Sequence, residues 1–132
     1  MIAHHALCFG CGQANLFGLQ LEVDPREDGS VAGRFFVKQD HQGPPGYAHG
    51  GMLATALDEA MALLVHHDGI HALTAGLEVS LLAPVPVGSF VDVTAAIDRR
   101  DGRRLELTAT ATGGDDAKVV ATARGTFVTV DR

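Results

Sequence analysis

Two hydrophobic periods alternate along this chain. Over residues 18–23, Leu19, Leu21 and Val23 alternate with Gln20 and Glu22, the period-two pattern of a half-buried strand. Asp28-Gly29 then marks a turn, and residues 30–37 read as the returning strand, with Val31, Phe35 and Val37 facing a core. The next stretch, 40–49, is a loop stiffened by Pro44, Pro45, Gly43 and Gly46. It leads directly into residues 50–65, where nearly every residue after two glycines is a strong helix former. Met52, Leu53, Ala56, Leu57, Ala60, Met61 and Leu64 fall on all sides of that helix, so the pattern predicts one buried all round. Gly69 stops it.

Four further strand regions follow, at 73–82, 89–100, 103–112 and 118–130, rich in Val, Leu, Thr and Ala. Pro84, Pro86, Gly88, Asp101-Gly102 and Gly113-Gly114 mark the turns between them. The order is β-β-α-β-β-β-β, which predicts an α+β fold with an antiparallel sheet wrapped around one long helix. At 132 residues the chain forms a single domain, 1–132, in which 1–17 is a lead-in segment.

Within the helix, Asp58 and Glu59 break the apolar pattern. An unpaired carboxylate taken out of water costs several kcal/mol or protonates. At least one of the two therefore reaches a partner, a cleft or solvent, and Asp58 is the candidate. At the other end, Gly50 and Gly51 offer unpaired N–H groups backed by the helix dipole, and their lack of a side chain lets a ligand oxygen approach. Such donors are the makings of an oxyanion hole. Asp58 lies eight residues on, about 12 Å along the axis, whereas reacting groups must meet within about 3 Å. If both act on one carbonyl, they come from two chains with antiparallel helices, which predicts a dimer with two shared sites.

The combination His49-Gly50-Gly51, six residues, then Asp58, on a chain with this element order, resembles the hotdog-fold acyl-CoA thioesterases. More narrowly it is similar to their phenylacetyl-CoA thioesterase-like branch. The opening Cys8-Phe-Gly-Cys11-Gly-Gln-Ala-Asn15, with Gly18-Leu19, resembles the start of many members. The resemblance implies that the Gly50 N–H polarises a thioester carbonyl. It implies that Asp58 of the facing subunit acts as nucleophile or as general base on water. Members of the family often carry Ser or Thr ten residues before a Pro, which here is Thr74, counted back from Pro84, and this residue would orient the water. His49, Gly51, Gln42, Gly43 and Glu59 complete the candidate site. Relatives often place Asn where this chain has Gly43, so Gln42 or His49 would have to supply any side-chain help at the carbonyl. The implied substrate is an acyl- or aryl-CoA, hydrolysed by a homodimer or a dimer of dimers without metal or bound cofactor.

Charge and composition narrow the partners. The formal net charge is −6 and the ten Lys and Arg form no dense run, which disfavours nucleic acid and anionic membrane. No apolar run reaches about 18 residues and the first residues lack the regions of a signal peptide, so the expectation is a cytoplasmic protein with Cys8 and Cys11 reduced. His4, His5, Cys8 and Cys11 could begin a zinc site, but no second Cys pair follows, so the thiols read as small hydrophobes. His66, His67 and His71 could form a metal site, but His is also simply favoured at a helix C-terminus, and that is the reading taken. Arg99, Arg100, Arg103 and Arg104 flank a hairpin and could meet coenzyme A phosphates or simply be solvated. Two other functions use the same parts. A hotdog hydratase or dehydratase would need His41 or His49 beside the acid. A non-catalytic acyl-CoA-binding module would not need Asp58 at all.

Overall fold

A computed structural model describes residues 1–131 of the chain. Six strands and one helix follow in the expected order: β1 (Glu22–Pro25), β2 (Val31–Phe36), α1 (Gly50–His67), β3 (Ala72–Leu81), β4 (Phe90–Asp101), β5 (Arg104–Gly113) and β6 (Val119–Thr129). The strands form one antiparallel sheet in the order β1-β2-β4-β5-β6-β3.

Strict alternation makes β5 the floor of the core. Leu105, Leu107, Ala109 and Ala111 point inward and their neighbours point out. Beside them lie Val91, Val93 and Ala95 of β4 and Ala121, Ala123 and Phe127 of β6. Against this surface α1 sets Leu53, Leu57, Met61 and Leu64, all buried. The alanines keep the sheet surface low where the helix crosses it. Gly125 does the same for Met61, whose thioether would crowd a β-carbon placed there. Burying each large side chain contributes about 1.5–3 kcal/mol, which binds α1 firmly to the sheet.

The sequence pattern predicts a helix covered on all sides, and the chain covers it only in part. Gly51, Thr55, Asp58 and Ala62, spaced by helical turns, form a stripe that stays partly exposed. Most of these residues are small, so their hydropathy does not require cover from the same chain.

The first strand also starts later than the 18–23 pattern predicts. Gln20 adopts φ 51°, which no ladder residue does, and Leu19 and Leu21 donate their N–H groups to Phe9 and Gly10 of the lead-in instead of to β2. Their alternation records burial under the lead-in, and pairing with β2 begins only at Glu22. At the far edge of the sheet, β3 has β6 on one side and no strand on the other.

Candidate active site

The site is built around the two ends of one helical stripe. At the first end, residues 38–49 form a strapped loop. His41 is buried; its Nδ1 accepts from the Lys38 N–H at 3.1 Å, which leaves Nε2 to donate to the Gly18 carbonyl at 3.1 Å. His49 N–H donates to the His41 carbonyl at 2.8 Å, so the buried imidazole fixes where the helix begins. The Gln42 side-chain carbonyl accepts from Gly46 N–H, and Gly43 N–H bonds to the Tyr47 carbonyl at 2.9 Å. Gln42 thus holds the loop together. A β-carbon at Gly43 would stand 2.9 Å from His49 Cα, so this loop has no room for an Asn there.

His49 caps the helix: its Nδ1 accepts the Gly51 N–H at 2.8 Å. This corrects the expectation that both glycines present free donors. The Gly51 N–H is consumed by the cap, and Met52 N–H bonds to the His49 carbonyl at 2.9 Å. The Gly50 N–H has no acceptor among the described residues. One donor, at the positive end of an 18-residue helix, therefore remains available to a ligand. Beside it opens a cleft of ≈ 390 Å³ lined by Pro44, Tyr47, Leu53, Leu81 and Pro84 among others.

Asp58 stands at the second position. It is half-buried, and Thr74 Oγ1 donates to its Oδ1 at 2.8 Å. Burial pushes the carboxyl above the ordinary aspartate range, while the Thr74 hydrogen bond pulls it back. A bulge explains how Thr74 reaches it. The pairing of β3 with β6 slips between Thr74 and Gly76, so Thr74 lies opposite inward-facing Phe127 while Leu77 lies opposite Gly125. The extra residue, Ala75, keeps Thr74 and Leu77 on the same, helix-facing side; without it they would alternate.

Glu59, counted above in the candidate site, turns away from Asp58 and Thr74. One residue further round the helix, it turns into the lead-in, where His4 Nδ1 lies 3.0 Å from its Oε2 and the Cys8 thiol lies 3.3 Å away. Burial would raise its pKa, but the bonds from His4 and the cysteines hold it below the usual range. The same contact lifts His4 to about 9, and desolvation pushes Cys11 up to about 12. Two of the four hairpin arginines are engaged locally: Arg104 with Glu106 at 3.1 Å, and Arg103 with the Thr129 carbonyl at 2.9 Å.

The sequence reading brought Asp58 together with Thr74, and His49 together with Gly50, Gly51 and the 42–43 loop. The sequence names His41 only for a hydratase and gives no sign that it seats the helix start, nor of the lead-in partners of Glu59. Within one chain the helix itself keeps Gly50 and Asp58 about 12 Å apart along its axis.

Comparison with known proteins agrees with this architecture. The thioesterase superfamily model matches residues 45–120, from the strapped loop through the start of β6. The chain is similar to acyl-coenzyme A thioesterase THEM4 of Bos taurus, 33% identical over 90 residues. That match takes in 68% of this chain and 37% of THEM4, so the chain spans little more than a third of the curated relative's length. A solved protein from Ralstonia eutropha JMP134, related to phenylacetic acid degradation, is 28% identical with a TM-score of 0.75, over 85% of this chain and 86% of that one. A thioesterase protein from Streptococcus pneumoniae TIGR4, solved with coenzyme A, has a TM-score of 0.78 over 85% of this chain and 87% of that one; at 20% identity it speaks for the fold alone. A helix held in a six-stranded antiparallel sheet in this order is the hotdog fold, and the chain belongs to the thioesterase superfamily.

Proposed function

We propose that this protein is an acyl-CoA thioesterase whose two active sites are each shared by two subunits. The observation that carries the reading is the Asp58–Thr74 pair: a half-buried carboxylate, held by a hydroxyl at 2.8 Å, on the uncovered stripe of a helix whose N-terminus keeps one free N–H at Gly50.

A thioester is reactive enough that a polarised carbonyl and an activated water suffice. The Gly50 N–H of one subunit would bind the carbonyl oxygen and take the charge that develops there. Asp58 of the other would receive a proton from water as the water oxygen attacks, while Thr74, already donating to Oδ1, can accept from that water and aim it. Collapse of the tetrahedral intermediate breaks the C–S bond, and the proton held by Asp58 passes to the departing sulfur, which releases coenzyme A as its thiol together with the free acid. A nucleophilic role for Asp58, through a mixed anhydride, uses the same geometry. His49, with Nδ1 occupied by the cap, positions Gly50.

The surfaces left open favour a two-fold dimer. β3 is a ten-residue edge strand, and exposed unpaired edges of this length invite pairing. Leu77 and Leu81 on its helix-facing side are 40% and 55% exposed, beside the stripe Gly51, Thr55, Asp58, Ala62. Pairing β3 with its own copy would cover both and run the two helices antiparallel, which sets Gly50 of one near Asp58 of the other.

The relatives support an acyl-coenzyme A substrate, and the Ralstonia protein favours an aryl-acetyl group of the phenylacetyl type. A hydratase that uses His41 is disfavoured because His41 is buried with both ring nitrogens bonded. Thiol release from short, long and aromatic acyl-CoAs, by the wild type and by Asp58→Asn, tests the assignment. Turnover lost in the variant supports it; water addition to an enoyl-CoA without hydrolysis of a saturated one, or binding without turnover, overturns it.

A further inference from the structure

The lead-in segment holds a second constellation that the thioesterase reading does not use. His4 Nδ1, Cys8 Sγ, Cys11 Sγ and a carboxylate oxygen of Glu59 all lie within 4.8 Å of one another. We propose that these four side chains bind a zinc ion, and that this closed site staples residues 1–19 to α1.

Four of the six ligand–ligand distances lie within about 0.3 Å of the edges of a zinc tetrahedron. Zinc bonds of about 2.3 Å to sulfur and 2.0–2.1 Å to nitrogen or oxygen require ligand–ligand edges of about 3.5 Å for N···S and O···S and about 3.3 Å for N···O. In the chain, His4 Nδ1 lies 3.6 Å from Cys8 Sγ, 3.8 Å from Cys11 Sγ and 3.0 Å from Glu59 Oε2, and Cys8 Sγ lies 3.3 Å from that oxygen. Small adjustments of flexible side chains would admit the ion. Two thiolates, one imidazole and one carboxylate are a donor set suited to zinc, and four protein ligands leave no open position, so the site is structural.

The surroundings are shaped for it. His4 N–H donates to Cys11 Sγ at 3.3 Å, the outer-shell bond that a metal thiolate accepts. A β-carbon at Gly10 would overlap the Glu59 side chain, and one at Gly12 would overlap the Cys8 backbone. The glycines of Cys8-Phe-Gly-Cys11-Gly12 therefore let the turn close over Glu59. The segment needs such an anchor. Of residues 1–19 only Ile2, Gly10, Cys11, Gly12, Gly18 and Leu19 are buried, while Leu7, Leu16 and Phe17 are about two-thirds or more exposed. Binding would expel the protons of both thiols and of His4 Nδ1, so affinity falls in acid.

The test is an anaerobic titration of the reduced, metal-stripped full chain with Co²⁺. The expected result is saturation at one Co²⁺ per chain, with thiolate-to-cobalt charge-transfer absorption and the visible bands of a tetrahedral site, both erased by added Zn²⁺. Cys11→Ser and Glu59→Gln should each weaken binding at least about tenfold, since each removes one ligand from a closed site. A titration without thiolate bands overturns the proposal, as does an unchanged affinity in Glu59→Gln. Circular dichroism of the wild-type chain with and without Zn²⁺ reads the fold separately from the variants, and a melting temperature unmoved by Zn²⁺ would also refute the staple. Neither measurement depends on the thioesterase assignment.

Discussion

Replacing Gly50 by proline removes one hydrogen-bond donor without breaking the helix, because Gly50 is the first residue of α1. Proline is favoured at that position, where its missing N–H has no helical acceptor and its fixed φ suits the helix. The residue before it, His49, has φ −65° and ψ 134°, the extended region that a following proline demands. A β-carbon there would crowd the Leu81 side chain, with Cδ1 at 2.5 Å, so Leu81, which the proposed dimer covers, has to shift. Gly50→Ala introduces the same carbon and keeps the N–H, so it controls for crowding. If the Gly50 N–H stabilises the oxyanion, its loss costs about 2.7–4 kcal/mol, a fall of roughly 100- to 1,000-fold in kcat. Thiol release under saturating acyl-CoA, with the melting temperature of each variant, reads the effect. Gly50→Ala is expected to alter KM chiefly. A Gly50→Pro enzyme that stays folded and whose kcat lies within about threefold of Gly50→Ala would remove this donor from the mechanism.

Asp58→Asn should lower kcat by at least ~100-fold without unfolding the chain, and near-wild-type turnover in a thiol-release assay would rule Asp58 out. Thr74→Ala should lower kcat roughly tenfold, with Thr74→Ser restoring most of it; equal rates for all three would leave Thr74 no part. The carboxylate is the active form, so kcat should fall as pH drops through the Asp58 pKa, at a pH above the ordinary aspartate value because burial raises it. Thr74 lowers that pKa, so in Thr74→Ala the acid limb of the pH–kcat profile should move to higher pH; movement the other way contradicts the assignment.

Much of this architecture was legible in the chain's hydrophobic pattern, because strands and helix carry different periods. The strands after α1 lie within two residues of the predicted spans at either end. The exceptions share a cause: burial by the lead-in, which has almost no regular structure and no period to read. It made 18–23 look like a ladder strand, and it turned Glu59 away from Asp58 and Thr74. The Asp58–Thr74 contact depends on a one-residue bulge that side-chain alternation cannot reveal, and only the resemblance pointed to Thr74. The loss of the Gly51 donor to His49 is likewise a matter of cap geometry, since a His-Gly-Gly string does not say which N–H the imidazole takes.

Sharing of the site between subunits is best tested by complementation. Asp58→Asn and Gly50→Pro chains, carrying different tags, are co-expressed and the hybrid dimer is isolated through both tags. In that dimer one site has Gly50 and Asp58 both intact and the other has neither. Its kcat per dimer should therefore recover to about half the wild-type value while each parent stays near zero. A hybrid dimer no more active than its parents would mean that donor and carboxylate act within one chain.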